Sequence, residues 1–460
     1  MPEPIETLCL GCDEPGSTLA FKPVKKQRRP LGQGDVLIDM KYCGVCHTDC
    51  VAARGAFKFM QGSNYAHGPF VPGHELAGVC AAVGPGVTMF KIGDHVGVGC
   101  MVDSCLDCAA CKRGEEQMCT KQVGTYGAKD VNGRAATYPA GQSTVGGYTT
   151  KMVVHERFGV LLPKDYPLEM AGPVMCAGVT MYGARHICHP GRTCRPHRTC
   201  HPRRTCHSRR IPSRLTSHSG AGATVADPLK RHGAKAGTRV GIIGVGGLGL
   251  TGVKIAMLMG CTVTAISRSA KGSTKAKGGL EAGADATLCS QDPVAMKAAA
   301  TSFDLVLNTI PTKHDYTVYE PLIARGGRQI LLGVQPAWFA ALIGGMTGLL
   351  KRNTTIGSGI GGIQNTQEVV ELFAKHKVYP AVQVRPAADI NFIMEQLERG
   401  NEASLRYVLD LSTLTEANRE AIESKPPTEL EKFTILSWPA ILKSLVFQKL
   451  FGKRTVALFG

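Results

Sequence analysis

Gly241-Ile-Ile-Gly-Val-Gly-Gly-Leu-Gly249 is the stretch whose reading decides the fold. A short apolar segment, Thr238 to Val245, leads into it, and an apolar-periodic pattern through Val253, Ile255, Ala256 and Leu258 leaves it. The order is therefore strand, tight turn, helix. Gly244, Gly246 and Gly249 stand at the G-x-G-x-x-G spacing, with Gly247 and Leu248 filling the turn. Glycines there permit the reversal, let the backbone approach a pyrophosphate and allow the helix to pack closely on the strand, while the helix N-terminus offers N–H donors to the phosphates. A second strand pattern, Cys261 to Ile266, follows. The combination predicts a dinucleotide site in a parallel α/β sheet.

The end of that second strand decides between the two nicotinamide cofactors. A site for NAD places an Asp or Glu there to accept from the ribose 2′-OH. Here the chain reads Ser267-Arg268-Ser269, with Lys271 close behind and no carboxylate between Leu250 and Leu280. Arg268 and Lys271 would pair with a 2′-phosphate and the serine hydroxyls could donate to it. NADP(H) is the expected cofactor.

A chain of 460 residues, 43% apolar and 19% charged, has room for two to three domains of an ordinary soluble protein. Its net charge of +17 is uneven: residues 183–226 hold nine arginines and no Asp or Glu, about half of the excess. That weakens any reading of the whole chain as a nucleic-acid binder. Residues 1–30 lack an apolar signal region, and the longest apolar run, Ala337 to Leu350, is short and broken by glycine. Without a secretory signal, the 18 cysteines read as thiols and metal ligands rather than a disulfide framework, and the expected compartment is the cytosol.

Two cysteine clusters carry chemistry. Cys43-Gly-Val-Cys46-His47-Thr48-Asp49 follows an alternating strand pattern, Val36 to Tyr42; with Gly73-His74-Glu75 and the distant Cys176 it offers a Cys₂His set for a catalytic zinc with an open fourth position. Spacing alone leaves Cys43 and Cys46 as alternatives. Cys105, Cys108, Cys111 and Cys119 form C-x2-C-x2-C-x7-C, which closes tetrahedrally around zinc and leaves no position for substrate. Iron–sulfur clusters use related spacings, but no proline follows the fourth cysteine and no second cluster motif is present.

The order C-G-V-C-H-T-D, G-H-E, V-G-P-G-V, G-D-H-V-G-V-G, the four-cysteine lobe, G-G-Y, C-A-G-V-T-M-Y and G-V-G-G-L-G resembles a zinc-dependent medium-chain alcohol dehydrogenase. Within that superfamily the chain is most similar to the NADP-dependent cinnamyl alcohol dehydrogenase and broad-range aldehyde reductase branch. The resemblance spans about residues 20–182 and 227–410. It implies an α/β chain made of a GroES-like, β-rich catalytic domain (1–172, resuming at 363–411) and a Rossmann domain with a doubly wound parallel sheet (173–362). It implies Cys46, His74 and Cys176 as catalytic-zinc ligands, Glu75 beside the metal and able to exchange onto it, and Cys43 as a neighbouring thiol. Asp49 would orient a ligand, His47 would sit near the cofactor pyrophosphate, and Thr48 would relay the alcohol proton. Ser358 and Ile360 would lie along the nicotinamide and substrate channel. Two zinc ions per chain, NADP(H), a small aldehyde or alcohol substrate and a homodimer complete the implied assembly.

Three departures stand against that pattern. Where the family continues with a histidine that passes the proton to solvent, this chain has Val51. Joining Tyr182 to Asp227-Pro-Leu-Lys-Arg-His-Gly233 restores the family pattern, so residues 183–226 read as a low-complexity insertion built on Arg-Thr-Cys repeats ending at Cys194, Cys200 and Cys206. Residues 412–460 form an extension, with a polar helix-like run from Leu414 to Ser424 and an apolar piece from Trp438 to Phe451 that favours packing on protein over a membrane surface. The expected activity is reversible reduction of aromatic or medium-chain aldehydes with NADPH. The alternative is a catalytically impaired chain whose arginine-rich loop binds nucleic acid or an acidic partner.

Overall fold

A computed structural model of the chain describes residues 3–13, 20–55, 68–134, 142–176, 222–270, 272–310, 314–332, 354–358, 361–380, 382–398 and 406–423. Lys271, Ile360, residues 177–221 of the arginine-rich region and everything beyond Glu423 lie outside the described residues.

The glycine-rich turn sits in a six-stranded sheet. Its strands lie in the spatial order Ala286–Cys289, Thr262–Ser267, Arg239–Ile243, Phe303–Asn308, Ile323–Leu331, Thr354–Gly357, and every neighbouring pair is parallel. In chain order this is 3-2-1-4-5-6, the doubly wound arrangement whose crevice opens at the carboxyl ends of the strands. The first strand is shorter than the apolar run suggests, because Gly244 takes φ +91° and turns the chain out of the sheet. Helix Gly247–Leu258 follows at once. Val240, Ile242, Val253, Ile255 and Ala256 are all fully or nearly fully buried, as a sheet covered on both faces requires.

Each glycine of the motif answers a different steric demand. A Cβ on Gly244 would meet Thr309 Oγ1 at 2.8 Å, and the Thr309 hydroxyl itself donates to the carbonyls of Ile243 and Gly244. A Cβ on Gly249 would collide with the Gly244 carbonyl oxygen, whereas a Cβ on Gly246 would meet nothing. The first and third glycines therefore serve the turn and the helix–strand contact. The second opens onto the crevice.

A seven-stranded, largely antiparallel sheet forms the other half. It runs Val382–Pro386, Arg406–Asp410, Asp35–Gly44, Leu76–Val83, His95–Val98, Gly159–Leu162, with Lys151–His155 also pairing along Asp35–Gly44. The hairpin Ile5–Cys12 with Phe21–Arg28 packs beside it. This is the GroES-like fold, and its last two strands arrive only after the chain has built the Rossmann sheet. Helices Leu168–Met175, Gly222–Arg231 and Ile363–His376 share one core with the Rossmann strands.

Helix Gly222–Arg231 begins upstream of Asp227, inside the stretch read as an insertion, and Val225 is fully buried in the shared core. The run from Leu414 holds a single 3₁₀ turn, Glu416–Asn418, before the short helix Arg419–Glu423, and Leu414 and Ile422 are buried in the core of the seven-stranded sheet. Among the described residues no helix is long and apolar enough to cross a membrane.

Gly249→Ala should lower stability by more than about 2 kcal/mol, because the added methyl has no space to relax into. Gly246→Ala should cost less than about 1 kcal/mol. Chemical denaturation of the two variants checks the difference.

Candidate active site

Cys46, His74, Glu75 and Cys176 present one ligand atom each, all within 4.8 Å of one another and all buried. Local sequence places each of them. Strand Asp35–Gly44 ends at a glycine, and helix His47–Ala53 starts immediately afterwards with Cys46 as its N-cap. That position puts the thiol at the positive end of a helix. Cys43, still in the strand, points its sulfur at the Gly44 carbonyl 3.6 Å away, and burial pushes its thiol well up. Of the two cysteines, Cys46 is the one that the fold brings to His74, Glu75 and Cys176. Its thiol is pulled well below the usual range, chiefly by the Cys176 sulfur.

Cys176 follows helix Leu168–Met175, which leans on a shelf of glycines. A Cβ on Gly97 would meet Met175 Sδ at 2.5 Å and one on Gly99 would meet the Met175 carbonyl at 2.7 Å. The Gly-Val-Gly run therefore sets how deeply that helix end descends. Its result is a Cys46 Sγ to Cys176 Sγ distance of 3.9 Å and a Cys176 Sγ to His74 Nε2 distance of 3.4 Å. A tetrahedral ion with zinc–ligand bonds of about 2.0 to 2.3 Å spans about 3.8 Å between two sulfurs and about 3.6 Å between sulfur and nitrogen. The donor set and its edges fit zinc.

Asp49 holds this cluster in place. Its Oδ1 accepts from His74 Nδ1 at 2.9 Å and Gly73 N at 3.2 Å; its Oδ2 accepts from Cys46 N at 3.0 Å and Tyr148 OH at 2.7 Å. The bond to His74 fixes the ring so that Nε2 faces Cys176. Burial opposes a charged His74, yet the Asp49 carboxylate raises its pKa well above the usual value. Thr48 Oγ1 lies 3.4 Å from Cys46 Sγ. His47 Nδ1 is 3.2 Å from the Leu397 carbonyl. Cys50, next in the helix, is turned away to Met394 Sδ at 3.2 Å, and Val51 is half-buried.

The second cluster is also assembled. Cys105 Sγ is 3.9 Å from Cys111 Sγ and 3.5 Å from Cys119 Sγ, and Cys108 Sγ is 3.5 Å from Cys111 Sγ. Leu106 takes φ +60° to fold the knuckle. Backbone N–H groups of Asp107 and Cys108 draw the Cys105 thiol down to about 6, whereas burial pushes Cys111 up to about 12.

At the cofactor crevice, Ser267 ends the second strand with exposed Arg268 next and Ser269 N donating to Ser267 Oγ at 3.3 Å. Ser358 lies just past strand Thr354–Gly357, its N–H bonded to the Leu331 carbonyl at 3.0 Å. Three further residues were not read from the sequence. Tyr148 was visible only as the end of a G-G-Y motif, Thr309 acts through the carbonyls of Ile243 and Gly244 more than 60 residues upstream, and Arg406, which pairs with Glu75, gave no signal because its partner is 331 residues away.

The comparisons with known proteins agree with this geometry. Residues 32–164 match the alcohol dehydrogenase GroES-like domain and residues 247–375 the zinc-binding dehydrogenase family. A rice protein named "Probable cinnamyl alcohol dehydrogenase 3" (Oryza sativa subsp. japonica) is 34% identical over 90% of this chain and 96% of its own. Among solved structures, a cinnamyl alcohol dehydrogenase from Sorghum bicolor superposes with a TM-score of 0.68 at 29% identity, covering 89% of this chain and 98% of its own. The Helicobacter pylori enzyme of that name, complexed with NADP(H), superposes with a TM-score of 0.67 at 30% identity, covering 89% and 99%. The chain belongs to the zinc-dependent medium-chain alcohol dehydrogenase superfamily, in its cinnamyl alcohol dehydrogenase branch.

Tyr148→Phe keeps the buried ring, which packs edge-on against Phe21, and removes one donor from Asp49. Leaving that carboxylate one bond short should cost about 1 to 3 kcal/mol in chemical denaturation. A cost below about 0.5 kcal/mol would mean that Asp49 does not depend on the hydroxyl.

Proposed function

We propose that the chain is an NADPH-dependent aldehyde reductase that interconverts aromatic or medium-chain aldehydes and primary alcohols. The observation that carries this reading is the buried Cys46, His74 and Cys176 cluster in a chain whose second Rossmann strand ends in Ser267-Arg268-Ser269 without a carboxylate. The NADP(H) held by the H. pylori relative supports the cofactor assignment.

In this reading Cys46, His74 and Cys176 hold a catalytic zinc, Glu75 stands ready to exchange onto it, and Cys105, Cys108, Cys111 and Cys119 hold a structural one. When bound, zinc supplies Lewis-acid polarisation of the carbonyl and the nicotinamide supplies the hydride. The chain supplies position. Gly244, Gly246, Gly247, Leu248 and Gly249 receive the pyrophosphate at the helix N-terminus, with His47 nearby, and Arg268, the two serines and Lys271 read the 2′-phosphate. Ser358 and Ile360 border the nicotinamide. Thr48 Oγ1 would give its proton to the oxygen of the reduced substrate and, with Val51 in place of a relay histidine, would regain one from water. Asp49 orients His74 and carries no substrate contact. A cytosolic homodimer of two-domain subunits, divided near residues 172 and 362, completes the proposal.

Purified, zinc-replete protein should oxidise NADPH with cinnamaldehyde and turn over more slowly with NADH. Arg268→Ala should raise the KM for NADPH about tenfold or more and leave that for NADH nearly unchanged, the size of one lost charge-assisted contact. Equal use of the two cofactors by the unaltered enzyme would sink the 2′-phosphate assignment. Asp49→Asn should lower the affinity of the catalytic metal about 10- to 100-fold while metal at the four-cysteine lobe is retained; equilibrium dialysis with zinc quantification separates the two sites.

A further inference from the structure

Glu75 is fully buried and one of its carboxylate oxygens belongs to the cluster that lies within 4.8 Å of the Cys46, His74 and Cys176 ligand atoms. At that distance it competes for the fourth position on any ion the three residues hold. Its charge is, however, engaged elsewhere. Arg406 Nε donates to Glu75 Oε2 at 3.1 Å, and Arg406 Nη2 pairs with Oε1. The niche is built for this pair. A Cβ on Gly44 would overlap Glu75 Oε2, so only glycine at the end of that strand leaves room for the carboxylate. The guanidinium is delivered by the returning strand Arg406–Asp410, which is clamped beside the site through the antiparallel pairing of Val408 with Gly44 and through Val45 N donating to the Tyr407 carbonyl at 2.9 Å.

We propose that Arg406 is a positioning residue that restrains the exchange of Glu75 onto the catalytic metal and thereby keeps the fourth coordination position available to substrate. The inference rests on the reading of Cys46, His74 and Cys176 as metal ligands. Its logic is charge accounting. Two thiolates neutralise a divalent ion, so Glu75 adds an uncompensated negative charge to a site that already holds the buried Asp49 carboxylate, and the half-buried Arg406 is the cation paired with it. Removing one partner of a buried ion pair strands the other in a medium of low dielectric. Glu75 then relieves its charge on the nearest cation, which is the metal, and a site meant to stay open becomes closed four-coordinate.

The test replaces zinc by Co²⁺ and titrates the full-length protein with imidazole, a neutral ligand that perturbs the d–d bands of an open site and leaves a tetrathiolate lobe unchanged. The unaltered protein should respond. Arg406→Met should weaken the apparent imidazole affinity about tenfold or more, and the double variant Arg406→Met with Glu75→Gln should return to within about threefold of the starting value. A single variant that binds imidazole as the unaltered protein does, or a double variant no better than the single, overturns the proposal. Should the methionine variant fail to fold, Arg406→Lys is read instead: a point charge replacing the fork should weaken the response by a smaller factor, and no weakening overturns the proposal. An unaltered protein that shows tetrathiolate bands alone, with no imidazole response, overturns the catalytic-metal reading and this inference with it. That failure is recognisable because it precedes any substitution.

Discussion

The Asp49 carboxylate accepts from Cys46 N, Gly73 N, His74 Nδ1 and Tyr148 OH, which together fill its acceptor capacity with donors from three separate stretches of chain. A fully buried carboxylate is costly unless each of its oxygens is satisfied. The helix at Cys46, the Gly73–Glu75 segment and the bend at Tyr148 therefore cannot drift independently. Two proposed metal ligands, Cys46 and His74, are spaced by this one group, and it also acts as the helix's N-terminal anchor at its third residue. The third ligand, Cys176, is set by a different constraint, the glycine shelf under Met175. The site thus depends on one saturated anion and on one packed surface.

What could be read from the sequence follows the range of the physics involved. The dinucleotide turn was legible because every demand on Gly244, Gly246 and Gly249 arises within a strand, a turn and a helix that are contiguous in the chain. The four-cysteine lobe was legible for the same reason. Cys43 and Cys46 could not be separated, since the choice turns on where strand Asp35–Gly44 stops and the helix begins, and boundaries are the weakest part of any pattern reading. Tyr148 and Arg406 were silent because their chemistry exists only with partners brought from afar by the fold.

The four-cysteine lobe is also tied to the nucleotide-binding half. Glu116, buried in the lobe, accepts from Ile363 N at 3.4 Å at the start of helix Ile363–His376. Arg231 pairs with Glu115 at 3.0 Å and with Asp227 at 3.2 Å, and Asn365 donates to Asp227 at 2.6 Å. The helix that resumes the chain after the arginine-rich region is therefore held from both sides. Upstream, Cys176 is held by the glycine shelf. The two ends that flank residues 177–221 are fixed by contacts made without them.

Magnitudes decide which contacts fix that seam. Arg231 is about two-fifths exposed, and such pairs contribute about 0 to 1 kcal/mol each. Val225, Leu229, Val369, Val370 and Phe373 are almost entirely buried in the core that helices Gly222–Arg231 and Ile363–His376 share with helix Leu168–Met175, and each such side chain contributes about 1.5 to 3 kcal/mol by its burial. The apolar face outweighs the ion pairs several-fold. It follows that the ion pairs choose the register of the lobe against the helices, while burial decides that the helices dock at all, and the same core that carries helix Leu168–Met175 brings Cys176 to Cys46.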